Sequence, residues 1–193
     1  MSGHRGRRLV YIPTELLEEI TEASLKDGKA VTKFVEEGMR QAVRVSRAGY
    51  DLEAFARFFE VLQAQRILGG AFVPIEVLNY LTTKASRDNK KDLMQKWFES
   101  GLWHGRYLKE RFGDPLQALR DFLEAVRWDL NEVQAVNDER GVRIICISTV
   151  LTSEGTETLS EFIVGAMHSL GYKIDEADNI KGMISLQFVL RLK

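Results

Sequence analysis

The sequence is poor in the residues that staple, break or charge a chain. One cysteine stands among 193 residues, so no disulfide framework can form. That residue, Cys146, lies in the apolar run 142–147 and fits a reducing compartment. The three histidines, His4, His104 and His168, are far apart in sequence, and no metal ligand set is expected from their spacing. Lys and Arg number 27 against 28 Asp and Glu, a net charge of −1. No overall field therefore draws the chain to nucleic acid, and any such affinity must come from a local patch. No apolar run reaches the roughly 18 residues of a membrane span. No apolar signal core follows the N-terminus, so a non-exported, cytoplasmic protein without membrane partners is expected. A Gly-rich phosphate loop, a Gly-x-Ser-x-Gly elbow and a His-Glu-x-x-His pair are all missing. The acid pairs Glu18-Glu19 and Glu36-Glu37 oppose apolar helix faces and read as solvated. No catalytic residue and no cofactor is expected, and the chain is not read as an enzyme.

What is present is a 45% apolar content, enough for a core, arranged in three stretches. Residues 7–12 have strand character, ended by Pro13, which gives no N–H to a ladder. Two short amphipathic helices follow, split at Asp27 and Gly28. A lone six-residue strand needs a partner, and the simplest is the same strand of a second copy, giving an antiparallel ribbon over four helices. The tail before it carries His4, Arg5, Arg7 and Arg8 with no acid before Glu15, a local basic patch.

This order of elements resembles the ribbon-helix-helix family of dimeric DNA-binding domains. The matching residues are Val10-Tyr11-Ile12-Pro13, Glu15-Leu16-Leu17-Glu18-Glu19-Ile20, Gly28-Lys29 and Phe34-Val35-Glu36-Glu37-Gly38-Met39, about a fifth of the chain. The resemblance implies a homodimer whose ribbon enters the major groove of double-stranded DNA. Arg5, Arg7, Leu9 and Tyr11 would then face DNA, with Val10 and Ile12 toward the core. Lys29, Ala30, Val31 and Thr32 would hold a phosphate at the second helix N-terminus. Leu9 departs from the polar triplet usual in that family, and Ala30-Val31 stands where a Ser or Thr cap is commoner; Thr32 could cap a helix beginning later. The alternative is that residues 7–45 only dimerise the protein or dock a protein partner.

Residues 45–51 read as a hinge, with Asp51 capping a long helix over 52–68. Leu52, Phe55, Phe59 and Leu62 recur in steps of three and four, near a coiled-coil seam, so the helix either extends a dimer begun by the ribbon or packs on its own C-terminal domain. Gly69 and Gly70 break the chain, and Pro74 suits the start of the next helix. Residues 86–91 read as a loop or helix start. Helices are expected over 93–112 and from Pro115 to about Trp128. A hairpin follows (132–136 and 142–149, turn 137–141), then a loop over 152–156 with Thr156 or Thr158 as cap. A helix over 159–170, stopped by Gly171, leads to a second hairpin (172–176 and 183–192, across 177–182). The fold class is α+β: an N-terminal dimerisation module (1–48), a linking helix (49–70), and C-terminal helices (71–193) on a four-stranded, mainly antiparallel sheet.

Residues 71 to 190 resemble the four-vinyl-reductase domain, a family related to transport-particle subunits and to sensor domains of phenol-responsive activators. The matching pieces are Gly101-Leu102-Trp103-His104-Gly105, Trp128-Asp129-Leu130-Asn131-Glu132, the strand 142–148 ending in Ser, Glu161-Phe162-Ile163-Val164-Gly165-Ala166, and Lys181-Gly182 with Phe188. The resemblance implies a site enclosing a small, mostly apolar effector. Candidate lining residues are Trp97, Trp103, His104, Tyr107, Trp128, Phe162 and His168; the plainer reading of such an aromatic stripe is core. The family's zinc cysteines correspond to Asp178 and Leu186, so the zinc site is not expected. The combined expectation is a dimeric transcriptional regulator binding operator DNA through its ribbon and modulated by an effector. The alternative is a scaffold or assembly protein whose ribbon only dimerises and whose C-terminal domain docks a partner.

Overall fold

The computed structural model describes residues 9–127 and 129–191. Arg5, Arg7 and Trp128 lie outside the described residues. Among the described residues the fold is α+β, with six helices and one four-stranded antiparallel sheet. The chain divides into two compact units, residues 1–55 and 56–193.

The N-terminal unit holds helices α1 (Thr14–Lys26) and α2 (Val31–Arg47) and the first residues of α3 (Leu52–Ile67). Gly28, at φ 64°, makes the turn between α1 and α2, a conformation other residues resist. Residues 9–12, expected as part of a strand, belong to none within the single chain. All four strands lie in the C-terminal unit, and a strand exists only by pairing. Helix α2 begins at Val31 with Ala30 in the capping position and no side-chain cap, so Thr32 does not cap it. Asp51 does cap α3, its Oδ2 accepting from the Ala54 N–H at 2.9 Å.

In the C-terminal unit α3 is followed by α4 (Ile75–Arg111), α5 (Pro115–Val126), β1 (Glu132–Asp138), β2 (Gly141–Ile147), α6 (Ser153–Leu170), β3 (Tyr172–Ile180) and β4 (Met183–Leu190). The stretch 86–91, read as a loop or helix start, holds a kink inside α4 at Asn89 (φ −157°, ψ 84°). Its Oδ1 accepts from the Asp92 N–H at 3.2 Å and restarts the helix. Helix α6 starts six residues before the expected 159, because Thr152 is its cap, accepting from the Gly155 N–H at 3.0 Å. Neither Thr156 nor Thr158 caps it. Both hairpins turn on two residues, tighter than expected. Asp138 Oδ1 accepts from the Arg140 and Gly141 N–H groups, each at 2.9 Å. Strand β3 continues to Ile180, with Asn179 donating to Ser160 Oγ at 2.9 Å, and Gly182 at φ 80° completes the turn.

The strand order is β1-β2-β4-β3. Edge strand β3 carries a register shift between Ile174 and Glu176, which disrupts pairing with a further strand. One sheet face presents Val142, Ile144, Cys146, Ile184, Leu186 and Phe188, all buried, against α5 and α6. Burial pushes the Cys146 thiol up to about 12, so it packs as an apolar side chain. Leu186 belongs to this core, and Asp178 is exposed on β3.

Helix α6 is sandwiched between the sheet and α4, and glycines set the distance between the two helices. A Cβ on Gly101 would fall 2.0 Å from the Phe162 carbonyl oxygen, on Gly105 2.3 Å from that of Ala166, and on Gly165 2.1 Å from that of Phe98. Backbone meets backbone at all three, so no rotamer change can make room. Gly165→Ala should cost about 1–3 kcal/mol in urea unfolding. Gly113→Ala, where a Cβ meets nothing within 4 Å, should cost little by the same measurement.

Candidate functional site: a cavity with unpartnered acceptors

The C-terminal unit forms a half-open cavity of about 880 Å³. One wall is the end of α3 and the connection through residues 68–74; the others are α4, α5, α6 and the loops at Asp129 and Val150. Its floor is an aromatic cluster. Phe122 and Phe162 stack at 5.9 Å between ring centroids, and Trp97 meets Phe162 edge-on at 6.4 Å.

His104 joins that cluster, 5.1 Å from the Phe122 ring and 4.9 Å from the Phe162 ring. Gly101 and Gly105 flank it on α4 and bring it under α6. Only 7% of His104 is exposed. Its Nδ1 lies 2.9 Å from the Ser100 carbonyl oxygen. A carbonyl only accepts, so Nδ1 carries the proton and Nε2 is a bare acceptor. Nε2 is buried and has no hydrogen-bond partner among the described residues. Burial pushes the His104 pKa down, against the weaker upward pull of the Ser100 carbonyl, so the ring is neutral at pH 7.

A second lining side chain is in the same position. Gln65 Oε1, on α3, is buried without a partner. At the rim, Arg127 donates to Asp129 through Nε at 2.8 Å and Nη2 at 2.6 Å. Burial pulls the Asp129 pKa up, but the Arg127 hydrogen bonds and charge outweigh it and hold the carboxyl below its ordinary value. Both groups stay charged and cancel, so the ion pair adds no net charge to the wall. Ser148 fixes this rim, with Oγ donating to the Asp129 carbonyl at 2.5 Å and accepting from the Val150 and Leu151 N–H groups.

Of the residues expected to line a site, Trp97, His104 and Phe162 come together here. Trp103, Tyr107 and His168 do not. Trp103 is 64% exposed on the outer side of α4, with Arg106 over its ring at 5.4 Å; the inward stripe runs through Gly101, His104, Gly105 and Leu108. Tyr107 packs against the core. His168 meets Phe98 edge-on at 5.8 Å and is bonded to Arg191. Sequence reasoning missed Gln65, Phe122, Arg127 and Asp129 as lining residues. Gln65 did carry a signal: a polar residue sits on α3 beside Val61 and Ala64, both buried.

In the N-terminal unit, Leu9 and Tyr11 are 93% and 96% exposed. Ala30, Val31 and Thr32 stand at the α2 N-terminus, where α2 has no side-chain cap. The Lys29 ammonium is held by Glu37 at 3.0 Å and Asp27 at 3.2 Å. No family, no curated protein and no solved structure matches the chain.

Because folded His104 resists protonation, the unfolded chain binds more protons below its usual pKa near 6.5. The stability contributed by the neutral ring is full above that value and falls as pH drops toward the depressed one. Melting curves from pH 8 to pH 5 should show wild type losing more stability than His104→Phe, which keeps the ring and removes both nitrogens.

Proposed function

We propose that the chain is a dimeric transcriptional regulator. Its N-terminal unit would pair with that of a second copy, form a two-stranded ribbon from residues 7–12, and place it in the major groove of double-stranded DNA. Its C-terminal cavity would take a small, neutral, mostly apolar effector that donates a hydrogen bond to His104 Nε2.

The observation that carries the dimer is the state of α1 and α2. Among the described residues they bury one side chain, Ser24. Leu16, Leu17, Leu25, Met39 and Val43 remain exposed. Two amphipathic helices with so little apolar burial need a further surface to cover them. A second copy supplies it and at the same time gives each strand its partner. The effector reading is supported by Nε2: an unpartnered buried acceptor costs about 1–3 kcal/mol, and a donor on the effector offsets that cost.

The exposure of Leu9 and Tyr11 favours a second reading, a scaffold whose N-terminal unit docks a protein. DNA and mutation separate the two. Binding to fragments from upstream of the protein's own reading frame should be specific against random DNA and fall steeply across a salt series. Arg7→Ala should weaken it by about 1–3 kcal/mol and relax a base preference. Under the scaffold reading Arg7→Ala does little and Leu9→Asp abolishes partner binding. Polar replacement of Val10 and Ile12 should dissociate the dimer in sedimentation experiments, and a wild-type monomer at micromolar concentration would overturn it.

A further inference from the structure

We propose that Gln65 is a second ligand-reading residue, so that the cavity selects a neutral apolar molecule with two hydrogen-bond donors and ties it to α3. This deepens the effector reading above and rests on it. Two of the residues that line one cavity, His104 and Gln65, each carry a buried acceptor, Nε2 and Oε1, with no partner among the described residues. They come from different helices, α4 and α3. A molecule with one donor can satisfy one of them; a molecule with two satisfies both and links the helices.

The placement of Gln65 is built in. Gly70 lies against its amide, and a Cβ there would fall 1.7 Å from Gln65 Nε2. The Gly70 φ is not in the left-handed region, so a side chain there is resisted only by the Gln65 amide, which it would displace. The Arg127–Asp129 pair is closed on itself, so the wall offers no unmatched charge to an ionised ligand. Most of the rest is apolar: Leu68, Phe72, Leu78, Phe122, Val126 and Leu159. The matching class is therefore a flat or compact apolar body carrying two hydroxyl or N–H groups.

The test is a series with one apolar body and zero, one or two donors: naphthalene, the naphthols and the dihydroxynaphthalene isomers, measured on the full chain by equilibrium dialysis. Wild type should bind the naphthols about tenfold tighter than naphthalene, and the best diol about tenfold tighter again. Gln65→Leu should abolish only the second step, and His104→Phe should lower affinity for the naphthols. Gly70→Ala, which displaces the amide without deleting it, should reproduce Gln65→Leu. Amide exchange over residues 64–70 should slow with the diol and not with the naphthol in wild type. Without ligand, Gln65→Leu should melt no lower than wild type, since it removes an unpartnered polar atom. A diol step that is missing in wild type, or that survives Gln65→Leu, overturns the role of Gln65 and leaves His104 in place. Failure of every member to bind wild type at its solubility limit overturns the effector reading as well.

Discussion

The C-terminal unit depends on the backbone contact between α4 and α6. Three glycines, Gly101, Gly105 and Gly165, let the helices meet with no side chain between them. That contact buries α6 on both sides, against α4 and against the sheet. It also fixes His104, which stands between Gly101 and Gly105 and is pressed between Phe122 and Phe162. The same arrangement that makes the core tight leaves the His104 imidazole nowhere to turn for a second hydrogen bond. A well-packed fold that keeps an unsatisfied polar atom at a cavity wall accepts a stability cost there. Such a cost is common at sites where a ligand completes the bonding.

The two units have opposite deficits. The C-terminal unit has a full apolar core and a cavity short of hydrogen-bond donors. The N-terminal unit has satisfied backbone helices and apolar side chains without a core. The first deficit calls for a small molecule and the second for a macromolecular surface. Helix α3 belongs to both units, since the division falls within it. It also brings Gln65 to the cavity wall. An effector held by Gln65, as proposed, would act on the one helix through which the chain passes from one unit to the other, and that is the physical basis for proposing coupling.

The C-terminal elements were largely legible because their signals are local. The apolar run 142–147, Asp114 before Pro115, and Gly171 after the last turn of α6 each act within a few residues. The errors were in places where a side chain settled the boundary. Thr152 caps α6 early, and Asp138 closes the first hairpin in two residues. Among the site residues, Trp97, His104 and Phe162 were readable as aromatic or imidazole groups near glycines. Trp103 was misleading because one step along a helix turns a side chain by about 100°, from the cavity to the outer face. That Gln65 and Asp129 line the same cavity was not legible, because only the tertiary fold brings them there. The strand proposed over 7–12 is a different case: its partner would be an identical chain, so one copy cannot contain the pairing.

The central claim is that effector and DNA affinities are linked, and the most direct measurement is a closed thermodynamic cycle. The operator affinity is measured with and without a saturating cavity ligand, and the ligand affinity with and without saturating operator. The account predicts that both factors differ from one and are equal, as linkage requires. If ligand and DNA each bind and both factors equal one, the two sites are independent and the chain is not a regulator of the kind proposed.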